Sequence, residues 1–215
     1  TLNPGPDYGV YDPVESVNRR SYAISEALDR GVLRPLAVGY RKVMPTFAED
    51  AVESFFTNLR STESALSGFL QGAPGRGFRD IGRFLVNSTL GIVGIMAPAD
   101  DYESFATIES EDVGQVFGAW GIGEGPYLVL PFLGPSNLRD LAGLFGDRAI
   151  NPIKEPFSMI DDWEWEWQLA TSGADYISRS PQIIERYKQL KGSSIDPYSS
   201  LKNGYTQYRR GAVAE

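Results

Sequence analysis

The sequence predicts an all-α, single-domain fold, and three observations predict it. Apolar residues recur every three or four positions through several segments. Asp-Pro and Ser-Pro pairs, which cap a helix and fill its first turn, stand ahead of others. The alternation that a half-buried strand needs occurs only in short pieces. A length of 215 residues suits one domain with a core. An apolar share of 42% against 22% charged is that of a globular chain rather than a disordered one.

Residues 1–11 are rich in Pro and Gly and read as an extended arm, ahead of a helical domain over 12–210 and a short tail over 211–215. The chain opens Thr1-Leu2-Asn3-Pro4 without an apolar signal region, so it reads as a mature or shortened form. Asp12-Pro13 looks like a helix start, with Asp12 as cap and Glu15 three residues on. Val14, Val17, Ser21, Ile24 and Leu28 then share a face, and Gly31 is expected to stop the helix. A second helix is expected over Phe47–Leu70, where Ala48, Val52, Phe55, Leu59, Leu66 and Phe69 form a stripe widened by Ala51, Phe56 and Ala65. Gly72-Ala73-Pro74-Gly75 ends it. A third begins near Gly77 and carries Phe78, Ile81, Phe84 and Leu85.

Phe84 to Ala99 has no charge, yet Asn87, Ser88, Thr89 and its Gly and Pro positions keep it from reading as a membrane span. Residues 113–138 hold one charge, Glu124, with six Gly and three Pro. That composition argues against a regular helix or a central strand. A loop so apolar is unusual against water. Burial in a core and contact with lipid both account for these two regions, and pattern does not separate them. Helical character returns after Ser136-Asn137, and a longer helix is expected over Phe157–Ser178. Ser180-Pro181 and Asp196-Pro197 open two more, ending near Lys191 and Arg210.

Composition narrows the chemistry. Without His the commonest general base is missing, and without Cys there is no thiol nucleophile, disulfide or thiolate metal site. A net charge of −8 makes nucleic acid a poor partner. From Ser180 onward there are six basic and three acidic residues, so the tail is +3 and the remainder −11. Asp161, Asp162, Glu164 and Glu166 resemble a carboxylate pair for glycan hydrolysis, but they read better as the solvated face of a helix. Asp100, Asp101 and Glu103 lack the spacing of a calcium loop and read as loop and cap residues. Gly121, Gly123 and Gly125 lack the spacing of a phosphate cradle and read as mobile or closely packed backbone. Trp163 and Trp167 share a core face while Trp165 points elsewhere, and the triplet reads either as core alone or as core plus a membrane or protein interface.

The strings Asp12–Arg19, Leu33–Ala37, Asn58-Leu59, Arg83–Gly91, Trp120–Tyr127 and Asp196–Tyr198, in that order, resemble those of the MlaA (VacJ) family of outer-membrane lipoproteins. Asp12-Pro13-Val14-Glu15-Ser16-Val17-Asn18-Arg19 is similar to that family's D-P-x-E-x-x-N-R opening, and Leu33-Arg34-Pro35-Leu36-Ala37 to its R-P-x-A segment. Asn58-Leu59, Phe69-Leu70-Gln71-Gly72 and Arg83-Phe84-Leu85-Val86-Asn87-Ser88-Thr89-Leu90-Gly91 follow. Trp120 to Tyr127 resembles G-x-G-x-G-P-Y and leads into Leu130-Pro131-Phe132. Ser136-Asn137-Leu138-Arg139-Asp140 and Asp196-Pro197-Tyr198 close the series.

The resemblance implies a single ring-like helical domain with a channel, embedded in the periplasmic leaflet of the outer membrane. It implies a path for misplaced outer-leaflet phospholipid to a soluble periplasmic carrier of the Mla pathway, which maintains lipid asymmetry, and association with a trimeric porin. It implies no catalysis and no cofactor. Family members carry a lipidated N-terminal Cys. This sequence departs there, and the anchor residue is expected ahead of Thr1. Carried over, the channel and lipid-binding residues would be Gly121, Gly123, Gly125 and Tyr127, then Phe55, Phe56, Asn58, Asn87 and Gly91. The basic tail from Arg186 to Arg210 would meet lipid phosphates or the carrier, or stand solvated. Two other functions compete: a porin-binding adaptor that moves nothing, and a carboxylate-dependent cell-wall hydrolase using Asp162 and Glu164.

Overall fold

The computed structural model describes residues 9–105, 110–131, 133–150 and 194–214. The helix expected over Phe157–Ser178, its acidic and Trp residues, and Ser180-Pro181 lie outside the described residues. The described chain is mostly helical, with one two-stranded hairpin.

Helix α1 runs over Glu15–Leu28. Asp12 is not its cap. Val14 holds that position without a side-chain bond, because the Asp12 carboxylate is turned inward to the Tyr198 hydroxyl (2.5 Å). Nor does Gly31 end the helix. A π turn at Asp29–Leu33 carries the chain into α2, Arg34–Val43. The reason is Pro35, which brings no N–H and a bulky ring into a continuing helix. Widening the turn by one residue makes room for both. Arg34 braces the turn through Asp29 (2.6 Å). Met44, pushed to an extended conformation ahead of Pro45, ends α2.

Helix α3 spans Thr46–Leu70 and α4 spans Pro74–Thr89, close to the expected bounds. Gly72, at φ +79, makes the turn between them, and Pro74 fills the first turn of α4. After short 3₁₀ turns at Pro98–Asp101 and Glu103–Phe105 comes α5, Val113–Ala119. This helix corrects the expectation of irregular backbone from 113 onward. Asp112 caps it, accepting from the Gln115 amide (2.8 Å), and supplies the start signal that the Gly content masked. Strands β1, Tyr127–Leu130, and β2, Gly134–Asn137, pair antiparallel with Tyr127 opposite Asn137. Asn137 then caps α6, Leu138–Ile150, through the Asp140 amide (2.8 Å). Asp196 caps α7, as its Asp-Pro pair predicts. It accepts from the Tyr198 amide (3.1 Å), and the helix runs over Pro197–Ala214, past the expected end near Arg210.

Among the described residues the buried apolar cluster is small. Tyr127, Val129 and Tyr198 form it, with Val10, Tyr22 and Tyr205 packed around. Elsewhere burial runs against the usual rule. Among the described residues fourteen polar or charged side chains are buried against eight apolar ones, so apolar burial alone does not organise this fold.

Candidate functional site

The α3–α4 hairpin inverts an ordinary amphipathic pair. Its inner seam is small and polar: Asn58, Ser61, Ser64, Ser67 and Gly68 from α3, and Gly77, Asp80, Arg83 and Asn87 from α4. Ser64 Oγ donates to Asp80 Oδ2 (2.7 Å) and accepts from the Glu111 amide (3.0 Å). A Cβ on Gly68 would stand 3.1 Å from the Gly77 nitrogen, so the backbones nearly touch. Leu66, Leu70, Phe78, Ile81 and Leu85 point outward and are exposed. A water-soluble helix pair buries such residues. Small and polar seams with apolar exteriors are the pattern of helices surrounded by lipid.

At the far end of α4 the chain bends through residues 90–96. Ile92 (φ +53) and Val93 (φ +60) occupy the left-handed region, which β-branched residues avoid. They are held from beneath: the Val93 amide donates to Ser88 O (2.9 Å) and that of Gly94 to Asn87 O (2.9 Å). Asn58 Nδ2 donates to Ser88 Oγ (2.9 Å), and a Cβ on Gly94 would strike the Asn58 amide. Asn87 Oδ1 accepts from the Ala99 amide (2.9 Å). The result is a fixed loop presenting Leu90, Ile92, Val93, Ile95 and Met96 to the outside.

A second polar centre joins α5, α6 and α7. Arg209, with 6% of its side chain exposed, donates to both oxygens of Asp112 (2.6 and 2.9 Å) and of Asp140 (2.7 and 2.9 Å). Tyr205 adds a hydrogen bond to Asp140 (2.5 Å). Burial pushes the Asp140 carboxyl up, yet the hydrogen bonds from Arg209 and Tyr205 outweigh it and hold the group below its usual range. Asp147 fares otherwise. It accepts from the Val113 amide (2.8 Å), but burial, with Asp112 and Asp140 nearby, pushes it up to about 6.

A carboxyl whose folded pKa is raised adds stability below its unfolded pKa and loses it as pH climbs through the folded value. Wild type should therefore lose stability between about pH 4 and about pH 6 from this group, while Asp147→Asn, which keeps a carbonyl for Val113, should not. At pH 7 the variant is expected to be more stable by up to about 3 kcal/mol. Thermal melts at pH 4 and pH 7 check this. An Asp147→Asn gain no larger at pH 7 than at pH 4 would contradict it.

The third centre joins α1 and the residues just before it to α7. Arg19 makes a bidentate pair with Asp196 (2.7 and 3.2 Å), which holds the Asp196 carboxyl well below its usual range. The guanidinium also lies over the Tyr198 ring, 4.3 Å from its centroid. Lys202 reaches Asp12 (3.1 Å).

The expected site residues thus fall in two groups. Asn58, Asn87 and Gly91 meet at the base of the 90–96 loop. A Cβ on Gly91 would strike Met96 O and Asn87 O, so only glycine fits there. Phe55 and Phe56, half-buried on α3, stack edge to face with centroids 5.4 Å apart. Gly121, Gly123 and Gly125 lie elsewhere, in an exposed loop. It is tied to the end of α3 by the Trp120 indole, which donates to Leu70 O (2.9 Å). Leu70 is twelve residues beyond Asn58, about 18 Å along the helix. Tyr127 is buried in the core, 2% exposed. Arg209, Asp112, Glu111 and Asp80 were not among the expected residues. The one local signal was the cap position of Asp112. Asp100 receives Arg83 Nη2 (2.5 Å), in keeping with a loop role.

Known proteins resemble this chain along most of its length. The family model described as MlaA lipoprotein matches residues 10–212. The intermembrane phospholipid transport system lipoprotein MlaA of Escherichia coli K12 is 31% identical over 202 residues, covering 93% of this chain and 77% of that protein. The Haemophilus influenzae protein of the same name is 24% identical over 200 residues, covering 91% and 76%. A solved structure described as "Structural basis for maintenance of bacterial outer membrane lipid asymmetry" aligns with a TM-score of 0.77 at 29% identity, over 94% of this chain and 98% of that one.

Proposed function

The chain belongs to the MlaA lipoprotein family, and from that premise we propose that it transports phospholipid at the outer membrane and so maintains the difference between its leaflets. The observation that carries the reading is the inverted α3–α4 hairpin, polar within and apolar without. A head group crossing hydrocarbon needs polar contacts along its way, because burying its charge unpaired costs many kcal/mol. Among the described residues Asn58 Oδ1 and Ser67 Oγ are buried without a hydrogen-bond partner, so the seam keeps polar capacity that its own packing does not use.

The protein's place is in the periplasmic leaflet, with residues 12–210 forming one ring-like body around a channel. No helix among the described residues is long and apolar enough to cross a membrane. The path runs past the Phe55–Phe56 pair and the 90–96 loop that Asn58, Asn87 and Gly91 hold, and is bordered at the other end by Gly121, Gly123 and Gly125, with buried Tyr127 anchoring that loop. No covalent bond changes, so the role asks for no catalytic group. Lipid leaves to a soluble periplasmic carrier, and a trimeric porin is the lateral partner. Expression behind a lipidated N-terminal segment in Escherichia coli lacking its own MlaA tests the function. Outer-leaflet phospholipid should fall to the wild-type level, and no fall sinks the proposal.

The 90–96 loop supplies a second measurement. Val93→Gly removes an exposed apolar side chain and relieves a left-handed β-branched residue. It is expected to raise stability in solution by about 1 kcal/mol while weakening binding to phospholipid vesicles severalfold. Flotation and thermal melts read the two effects separately. Unchanged flotation would mean that the loop does not enter lipid.

A further inference from the structure

Strand β1 has two edges, and among the described residues only one meets another strand. Along the other, the Tyr127 amide donates to Tyr11 O (2.8 Å). The next two groups on that edge meet a single side chain. Tyr127 O accepts from Asn18 Nδ2 (2.9 Å), and the Val129 amide donates to Asn18 Oδ1 (2.9 Å). One carboxamide thus stands in for the peptide group of a neighbouring strand. The second Nδ2 hydrogen goes to Asp12 (2.8 Å), which Tyr198 and Lys202 hold in turn. Asn18 is 2% exposed. Asp in its place would lack the donor and Leu would lack both functions.

The loop that ends on β1 is held besides by the Trp120 indole on Leu70 O (2.9 Å) and by two α6 amides, Arg139 to Glu124 O and Leu138 to Pro126 O (both 3.2 Å), while its tip is open. A Cβ on Gly121 or Gly123 would meet nothing within 4 Å. The Glu124–Arg210 pair is half-exposed at the Arg210 end, and such pairs hold weakly. We propose that Asn18 is a positioning residue for transport. By fixing the register of β1 against α1 it sets where the Gly121–Tyr127 loop stands, and the Tyr11–Asp12 segment reinforces it. This rests on the reading of that loop as a border of the lipid path.

Hydrogen exchange on the whole chain tests it, in wild type and in Asn18→Leu, a change of similar volume. The amides of residues 121–130 should exchange at least tenfold faster in the variant, while those of residues 61–68 in α3 keep their protection. In cells the same variant should raise outer-leaflet phospholipid severalfold. Asn18→Ser, which retains a hydroxyl, gives the same pattern at smaller amplitude and covers a poorly folding Leu variant. Unchanged exchange at 121–130 overturns the proposal. So does uniform loss of protection in both variants, because Asn18 would then support the whole fold equally. Fast local exchange with normal outer-leaflet phospholipid overturns the link to transport. Failure of the transport reading itself appears differently: wild type would leave outer-leaflet phospholipid high, whatever the exchange contrast.

Discussion

Arg209→Ala is expected to destabilise the protein by about 3–5 kcal/mol, the magnitude seen when one partner of a buried ion pair is removed. The guanidinium is the only group drawn to both Asp112 and Asp140 through paired hydrogen bonds among the described residues. Without it the buried Asp140 keeps Arg139 (2.9 Å) and Tyr205. Asp112 keeps its cap role but loses its charge partner, and α7 loses its hold on α5. Arg209→Lys should recover only part of the loss, because an ammonium cannot span two carboxylates with a planar fork. Chemical denaturation of Arg209→Ala, Asp140→Asn and the double variant measures the coupling. Additive effects would show that the network is not a unit.

Gly143→Val is the second large effect. A Cβ on Gly143 would lie 2.6 Å from the Gly114 Cα and closer still to its nitrogen. The neighbour is backbone, so no rotamer change relieves the clash, and α5 must lift from α6. A loss of about 3 kcal/mol is expected, at the upper end for overpacking, with Gly143→Ala about half as severe. Val113 moves with α5, so its bond to Asp147 should break and the pH dependence of stability assigned to Asp147 should flatten. A variant that melts like wild type would mean that the helices approach less closely than 2.6 Å implies.

The two glycines also mark what a sequence can and cannot disclose. Helices α3, α4, α6 and α7 were legible because periodicity and cap residues are local signals: Asp196-Pro197 opens α7, and Asn137 precedes α6. Asp12 and Gly31 misled for the same reason. Each carries a strong local meaning that a distant partner overrides, Tyr198 for Asp12 and the turn demanded by Pro35 for Gly31. Helix α5 was hidden by its own glycines, which serve close packing rather than turns.

For the candidate site, the resemblance offered Asn58, Asn87 and Gly91 together with Phe55 and Phe56 as lipid contacts; the structure gathers the first three at the base of the 90–96 loop, where they pack its backbone. Which residues answer one another was not legible. Arg209 lies 97 positions from Asp112, and Asn18 lies 109 from Tyr127. The strings named a family before they named a contact.

The inverted seam has a calorimetric consequence. Heat capacity rises on unfolding in proportion to the apolar area newly wetted, and newly wetted polar area lowers it. A hairpin that already shows Phe78, Leu85 and Leu70 to solvent while hiding serines and asparagines has little of the first kind left to expose. Its stability curve against temperature should be unusually flat, and its unfolding should respond weakly to urea for a chain of this length.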